Sequence, residues 1–379
     1  MCTSFIVLRS MTDHEAPVRL HSDAILRGLH DRDGFSSSLI SPDSRAPIPE
    51  DSCVLIHFGD EPACTRARQL ARTRTDLTIA CLGSDIYDFN KYVRLHDFVD
   101  VYIMPTDLHR RILAAQVYKP VLSVPECIDP ITGWRSSTRF EFPIKSSRRL
   151  LWFGYPGSFL ISMVSLLPIL QGNLTKGSVT SVSLISGDEL CTYNIGFPII
   201  PYSNSTFRFA TTGFDYCILS HLPLDLGLNT YIKSPNKLVT SLMAGLIPIA
   251  SDTPNYRILL EEFGLSRFLF DSPAALNQIL GSLDPENDSR AISRSGIVEA
   301  IQERFSDSGV AGTLVHVLQE FADRRKRGEL IDGNFGRPVA LDTIPPQRYF
   351  RHHLADLFPS FLRAVKSRLG GTQGIGARR

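Results

Sequence analysis

The 379-residue sequence has little that could tie it together covalently. Its seven cysteines, Cys2 to Cys217, are an odd number, widely spread and without a C-x-x-C pair. That excludes a disulfide framework and the usual zinc spacings, and fits isolated thiols in a reducing compartment. Long apolar runs are also missing: the longest, FLISMVSLLPIL at 159 to 170, falls short of the roughly 20 residues a membrane-crossing helix needs. The N-terminus, MCTSFIVLRSMTDHE, has no basic leader and too short an apolar stretch for a signal peptide, so it reads as a first strand. Neither sign of charge is in excess, with 40 basic against 39 acidic side chains. No global field for nucleic acid follows, and any cation site must be local. A cytoplasmic protein is expected, in which the sequons at Asn173, Asn204 and Asn287 carry no weight.

What the chain does have is rhythm. SFIVLR, SSLISP, CVLIHF, LTIACLG, DVYIMP and PVLSVP are short apolar runs, separated by helical stretches at 20–31, 61–73, 90–98 and 106–116. Strand and helix alternating at this spacing predict a parallel sheet covered on both faces. Residues 129–147, DPITGWRSSTRFEFPIKSS, lose the periodicity and carry turn formers, which marks a linker. The rhythm resumes with RRLLWFGYPGSF, VTSVSLISGD, FDYCILS, LIPIAS and RFLFDS, and residues 287–330 read as helical. The expected architecture is α/β, with two doubly wound domains at 1–128 and 148–330 facing each other across a cleft and a tail at 331–379. Ligands of such sheets bind at the carboxyl ends of the strands.

One stretch at such an end stands out. In YIKSPNKLVTSLMAGLIPIASD, 231 to 252, Ser234 and Pro235 are a helix-start signal, serine as N-cap and proline at the first helical position. Lys233 and Lys237 flank that start, where the helix dipole disfavours a cation by a few tenths of a kcal/mol. A bound diphosphate would reverse the sign, meeting free N–H groups, the dipole and two ammonium groups together.

The pattern K-S-P-N-K, a short helix, then A-G-x-x-P-I-A-S resembles the donor-binding segment of GT-B glycosyltransferases, enzymes of two Rossmann-like domains that use nucleotide sugars. FGYPGSF at 153–159 and SLISGD ending at Asp188 fall where that family carries its phosphate loop and the start of its base-binding loop. LGSDIYDFNKY, VDVYIMPTDLHRRIL and VLSVPECID are similar to segments of the enzymes that assemble bacterial surface polysaccharides, lipopolysaccharide or capsule. The resemblance implies donor contacts from Gly154, Tyr155, Gly157, Ser186, Lys233, Ser234, Asn236, Lys237 and Thr240. Lys237 then stabilises the leaving diphosphate without a metal. It implies no separate cofactor, a nucleotide sugar as donor, and a glycan or lipid-linked glycan as acceptor of a hexosyl or deoxyhexosyl group.

The sequence departs from the family at two places. Many retaining members carry two glutamates with seven residues between them; here the matching positions are Ile232 and Thr240. A threonine hydroxyl lacks a carboxylate's two acceptor oxygens, so ribose recognition must differ. A non-catalytic partner of an active transferase and a nucleotide-sugar epimerase are the rival readings. For a base that deprotonates the acceptor, the loops after the first-domain strands offer Asp13 and His14, with Glu15, and Asp85, with Asp88. His57 reads as a core histidine, and Glu126 has no assigned role. The one D-x-D, Asp31-Arg32-Asp33, precedes a strand and reads as a turn. RYFRHHLADLFPSFLRAVKSRLGG at 348–371 is basic and amphipathic, and through 348–369 would suit peripheral contact with an anionic membrane.

Overall fold

The computed structural model describes residues 3–11, 16, 18–84, 88–135, 138–224 and 227–328. The first sheet comprises β1 (Ser4–Leu8), β2 (Ser36–Ile40), β3 (Cys53–His57), β4 (Thr78–Leu82), β5 (Val101–Met104) and β6 (Val121–Ser123). All pairs are parallel, in the order β2-β1-β3-β4-β5-β6. The second comprises β7 (Arg149–Phe153), β8 (Ser181–Ser186), β9 (Ile199–Pro201), β10 (Tyr216–Leu219), β11 (Ile247–Ser251) and β12 (Leu269–Phe270), also parallel, in the order β12-β11-β10-β7-β8-β9. Continuous apolar strands such as CVLIH are buried along their whole length because helices cover both faces of each sheet.

Local chemistry sets the helix bounds. The Asp60 carboxylate accepts the Ala63 N–H and starts the helix Glu61–Thr73, and the Thr106 hydroxyl accepts the His109 N–H and starts Asp107–Ala114. The run FLISMVSLLPIL folds as bent core helices, Pro156–Ser162 and Leu167–Thr175, whose Phe159 and Leu170 join Met163 and Leu166 of the turn between them in the core of the second domain. Among the described residues no single helix is long and apolar enough to cross a membrane. The segment 348–369 lies outside the described residues.

One helix differs from the expectation that 148–330 forms a single unit. Asp307–Lys326 returns to the first domain, where Val310, Ala311, Leu314 and Leu318 join Phe5, Ile25 and Leu29 in the core. A helix that follows the second domain in sequence thus closes the first. The closure requires Gly28: a Cβ there would sit 2.1 Å from the Asp307 carbonyl oxygen and 2.7 Å from the Ala311 methyl carbon. Two helix backbones approach this closely only over glycine.

Two tests follow. Gly28→Ala gains helix propensity, about 1 kcal/mol, but forces the helices apart at a cost of about 1–3 kcal/mol or more. With backbone as the obstacle the clash wins, so the urea midpoint falls; an unchanged or raised midpoint contradicts the packing. His57 is the second. Burial, aided by the Lys91 charge, lowers its pKa from 6.5 to about 4. The unfolded chain therefore takes up a proton below pH 6.5 that the folded chain refuses. The His57 contribution is complete above pH 6.5 and is lost as pH falls to about 4, up to roughly 3 kcal/mol. Urea titrations at pH 7 and pH 5 should show a shallower acid loss in His57→Gln than in the wild type.

Candidate functional site

In the second sheet the strand order reverses between β7 and β10, which opens a crevice at their carboxyl ends. Gly154 follows β7 there. Its N–H donates to the Ile185 carbonyl at 3.1 Å and its carbonyl accepts the Ser186 hydroxyl at 2.8 Å, so the loop is tied to the end of β8. Ser186 is buried, with its hydroxyl engaged in this tie. The Lys237 ammonium donates to the Phe153 carbonyl at 3.2 Å and lies 5.6 Å from the ring centres of both Trp152 and Phe153. A Cβ at Gly154 would stand 2.7 Å from that nitrogen, so glycine is what admits the ammonium to the loop. Tyr155 is exposed beside it, and Gly157 has open space around its α-carbon.

The helix carrying Lys237 runs Asn236–Met243, one residue later than its sequence signal, with Pro235 as the capping position. Ser234 is not the formal cap, although its Oγ accepts the Asn236 N–H at 3.3 Å. Its single proton goes elsewhere, in a short hydrogen bond to Glu126 Oε2 of the first domain. Glu126 Oε1 lies 3.6 Å from His21 Nε2, and all three side chains are buried. Glu126 is therefore an interdomain tie. The Lys233 carbonyl accepts the Asn255 side-chain amide at 2.8 Å, which joins this loop to the start of the helix Pro254–Glu262.

Both helix starts face the crevice, and each carries a buried polar atom without a partner: Asn236 Oδ1 and Thr253 Oγ1. Buried polar atoms are rarely left unpaired, so each is a position open to a water or a ligand group. Thr253 and Asn255 escaped sequence reasoning, as did His221, which follows β10, donates its N–H to Ser251 Oγ at 2.7 Å and pairs with the Tyr256 hydroxyl at 3.1 Å. Position alone, at the carboxyl ends of β10 and β11, is the signal that would have found them.

Neither family-glutamate position presents a polar group to the surface. Ile232 is fully buried in an apolar cluster with Leu228 and with Ile112 of the first-domain helix Asp107–Ala114. Thr240, expected at the ribose, is buried in the helix.

Across the cleft, Asp13, His14 and Asp85 lie outside the described residues. Asp60 anchors the loop that leads to the first two, accepting the Ser10 N–H at 2.7 Å, the Ser10 hydroxyl at 2.6 Å and the Met11 N–H at 3.3 Å. Asp88 caps the helix Phe89–Leu95. Arg19 grips Asp129 through two hydrogen bonds, 3.1 and 3.0 Å. Burial opposes its charge, yet the Asp129 bond raises the guanidinium above its usual pKa; Tyr155 and Tyr202 of the second domain lie within electrostatic reach.

No family model matches the chain, and no curated protein matches it in sequence. Solved structures do resemble it in fold. The N-terminal domain of Candida albicans trehalose-6-phosphate phosphatase aligns over 84% of this chain and 97% of its own, with 9% identity and a TM-score of 0.52. A Thermobaculum terrenum O-GlcNAc transferase mutant aligns over 87% of this chain and 68% of its own, with 11% identity and a TM-score of 0.51. Pneumococcal O-GlcNAc transferase GtfA, in complex with UDP and GlcNAc, has 14% identity and a TM-score of 0.48 over 73% of this chain. The chain spans only 58% of GtfA's length. With two parallel, doubly wound domains set carboxyl end to carboxyl end and a C-terminal helix returning to the first, the chain has the GT-B fold.

Proposed function

We propose that this protein is a metal-independent glycosyltransferase that moves a sugar from a nucleotide diphosphate sugar to a glycan or lipid-linked glycan acceptor. The observation that carries this is the Lys237 ammonium held against Gly154 at the strand-order reversal, beside the start of the helix Asn236–Met243. A diphosphate in that corner meets the ammonium and the positive end of the helix dipole. The same groups stabilise the charge that develops on the departing nucleotide. Asn236 Oδ1 and Thr253 Oγ1 offer hydrogen-bond positions for donor hydroxyls. The acceptor's base comes from the first-domain loops, with Asp13, His14 and Asp85 as the proposed residues. Resemblance of the first-domain segments to surface-polysaccharide enzymes supports a lipid-linked acceptor at the cytoplasmic face of a membrane, with 348–369 as the proposed contact.

Ile232 and Thr240 favour a second reading, a nucleotide-binding module without catalysis. Calorimetry with UDP, GDP, ADP, CDP and dTDP, followed by each matching nucleotide sugar, separates the two. We expect one diphosphate to bind in the micromolar range and Lys237→Met to weaken it at least about tenfold, the loss of one charge-assisted contact. Binding by none of the five overturns both readings. Tight binding with neither transfer nor slow hydrolysis of any nucleotide sugar supports the second.

A further inference from the structure

A trough away from the crevice remains without a role. A groove of about 920 Å3 lies between the helix Asp23–His30, the edge strand β2 and the linker at 128–135, and a neighbouring one of about 600 Å3 shares Pro130 and Arg208 with it and reaches Arg19. The first volume is at the upper end for ligand sites. Its linker wall is rigid. Asp129 accepts the Ile131 N–H at 3.1 Å while gripping Arg19, Thr132 Oγ1 accepts the Trp134 N–H at 3.2 Å, and the Trp134 indole donates to the Thr138 carbonyl at 2.9 Å. Gly133, with φ of 76°, lets the Arg208 guanidinium lie against the backbone: a Cβ there would be 2.2 Å from Nε. A left-handed turn and a close approach at one residue both call for glycine.

The charges are lopsided. Arg27 and Asp307 cancel each other in a pair of 2.7 Å. Arg135 and Arg208 have no acidic partner among the described residues, against Asp31 alone. Around these cations stand a partly exposed indole, Ser38, Ser37 with its hydroxyl donating to the Leu26 carbonyl at 3.2 Å, and the outer edge of β2, which among the described residues pairs with β1 alone. Two unpaired guanidiniums, an aromatic face and hydroxyl partners are the chemistry that recognises a sugar chain bearing carboxylates or other anionic groups.

We infer that this trough binds an anionic glycan chain. Its role as the track along which an acceptor leads into the crevice rests on the transferase reading, but the binding does not. The trough reaches Arg19 beside its pair with Asp129, so a chain lying in it would have one end at that pair.

The two tryptophans make the test specific. Trp134 forms the trough wall, and Trp152 lies buried beneath Lys237. The full chain is titrated with tetragalacturonate, following tryptophan emission and heat, against neutral maltotetraose, sodium tripolyphosphate and a tetraglutamate peptide. Tetragalacturonate is expected to bind and to change the emission in the wild type but not in Trp134→Phe. Its affinity falls roughly tenfold per guanidinium in Arg135→Ala and Arg208→Ala. Nucleoside diphosphate binding, read through heat and Trp152, stays unchanged in the double variant, so failure here and failure of the donor site are separable. No tetragalacturonate binding, or binding unchanged in the double variant, overturns the inference. So does equal binding of tripolyphosphate, which marks a polyanion surface, or tighter binding of the peptide, which marks a protein-docking groove. Maltotetraose binding as tightly as tetragalacturonate overturns the anionic part.

Discussion

The buried carboxylate of Glu126 is the contact on which the proposed donor site depends. A carboxyl group withdrawn from water must be paired, and here the partners come from both domains: His21 beside one oxygen and Ser234 donating to the other. Ser234 donates its proton to Glu126 and accepts the Asn236 N–H on the same oxygen, so both bonds hold the loop before the helix. That loop is tied again through the Lys233 carbonyl to Asn255. The helix that follows then delivers Lys237 to Gly154. The aim of the ammonium is thus set by a residue on the opposite domain, 108 positions away in sequence from Ser234.

Apolar contacts reinforce this tie. Ile232 sits in the angle between the domains against Ile112, where a glutamate would be an unpaired buried charge. Where the enzymes it resembles carry a glutamate, Ile232 instead closes the domain contact beside the Glu126 bond. Gly28 acts at the other end of the assembly, admitting the helix Asp307–Lys326 to the first core. Both contacts reach between distant parts of the chain, which couples the geometry of the crevice to the docking of the domains.

Much of this architecture is legible in the sequence because it is local. The helix 61–73 and the apolar strands announce themselves by periodicity and by capping residues such as Asp60 and Thr106. The strand Ile199–Pro201 and the helix Asn204–Thr211 do not: three residues ending in proline are too short for a period, and the serine and threonine residues of the helix read as loop. Periodicity also says that 307–326 is helical without saying which core receives it. At the candidate site, Lys233 and Lys237 stand out in the sequence by their conflict with the helix dipole, and Gly154 by its place after a strand. Glu126 and Asn255 do not stand out, because the partners they tie, Ser234 and the Lys233 carbonyl, are brought to them only in the folded chain. Ser234 was half legible: it serves the helix start, but Glu126 draws its proton away and shifts the first helical residue to Asn236.

The central claim is spatial, that the corner formed by Gly154, Lys237 and Asn236 is where a diphosphate is held. A crystal structure with the nucleoside diphosphate that binds most tightly tests it directly. The account predicts a phosphate oxygen at about 3 Å from Lys237 Nζ, with a second oxygen facing the first-turn N–H groups. A nucleotide bound elsewhere, with no phosphate oxygen within reach of Lys237 Nζ, would contradict it.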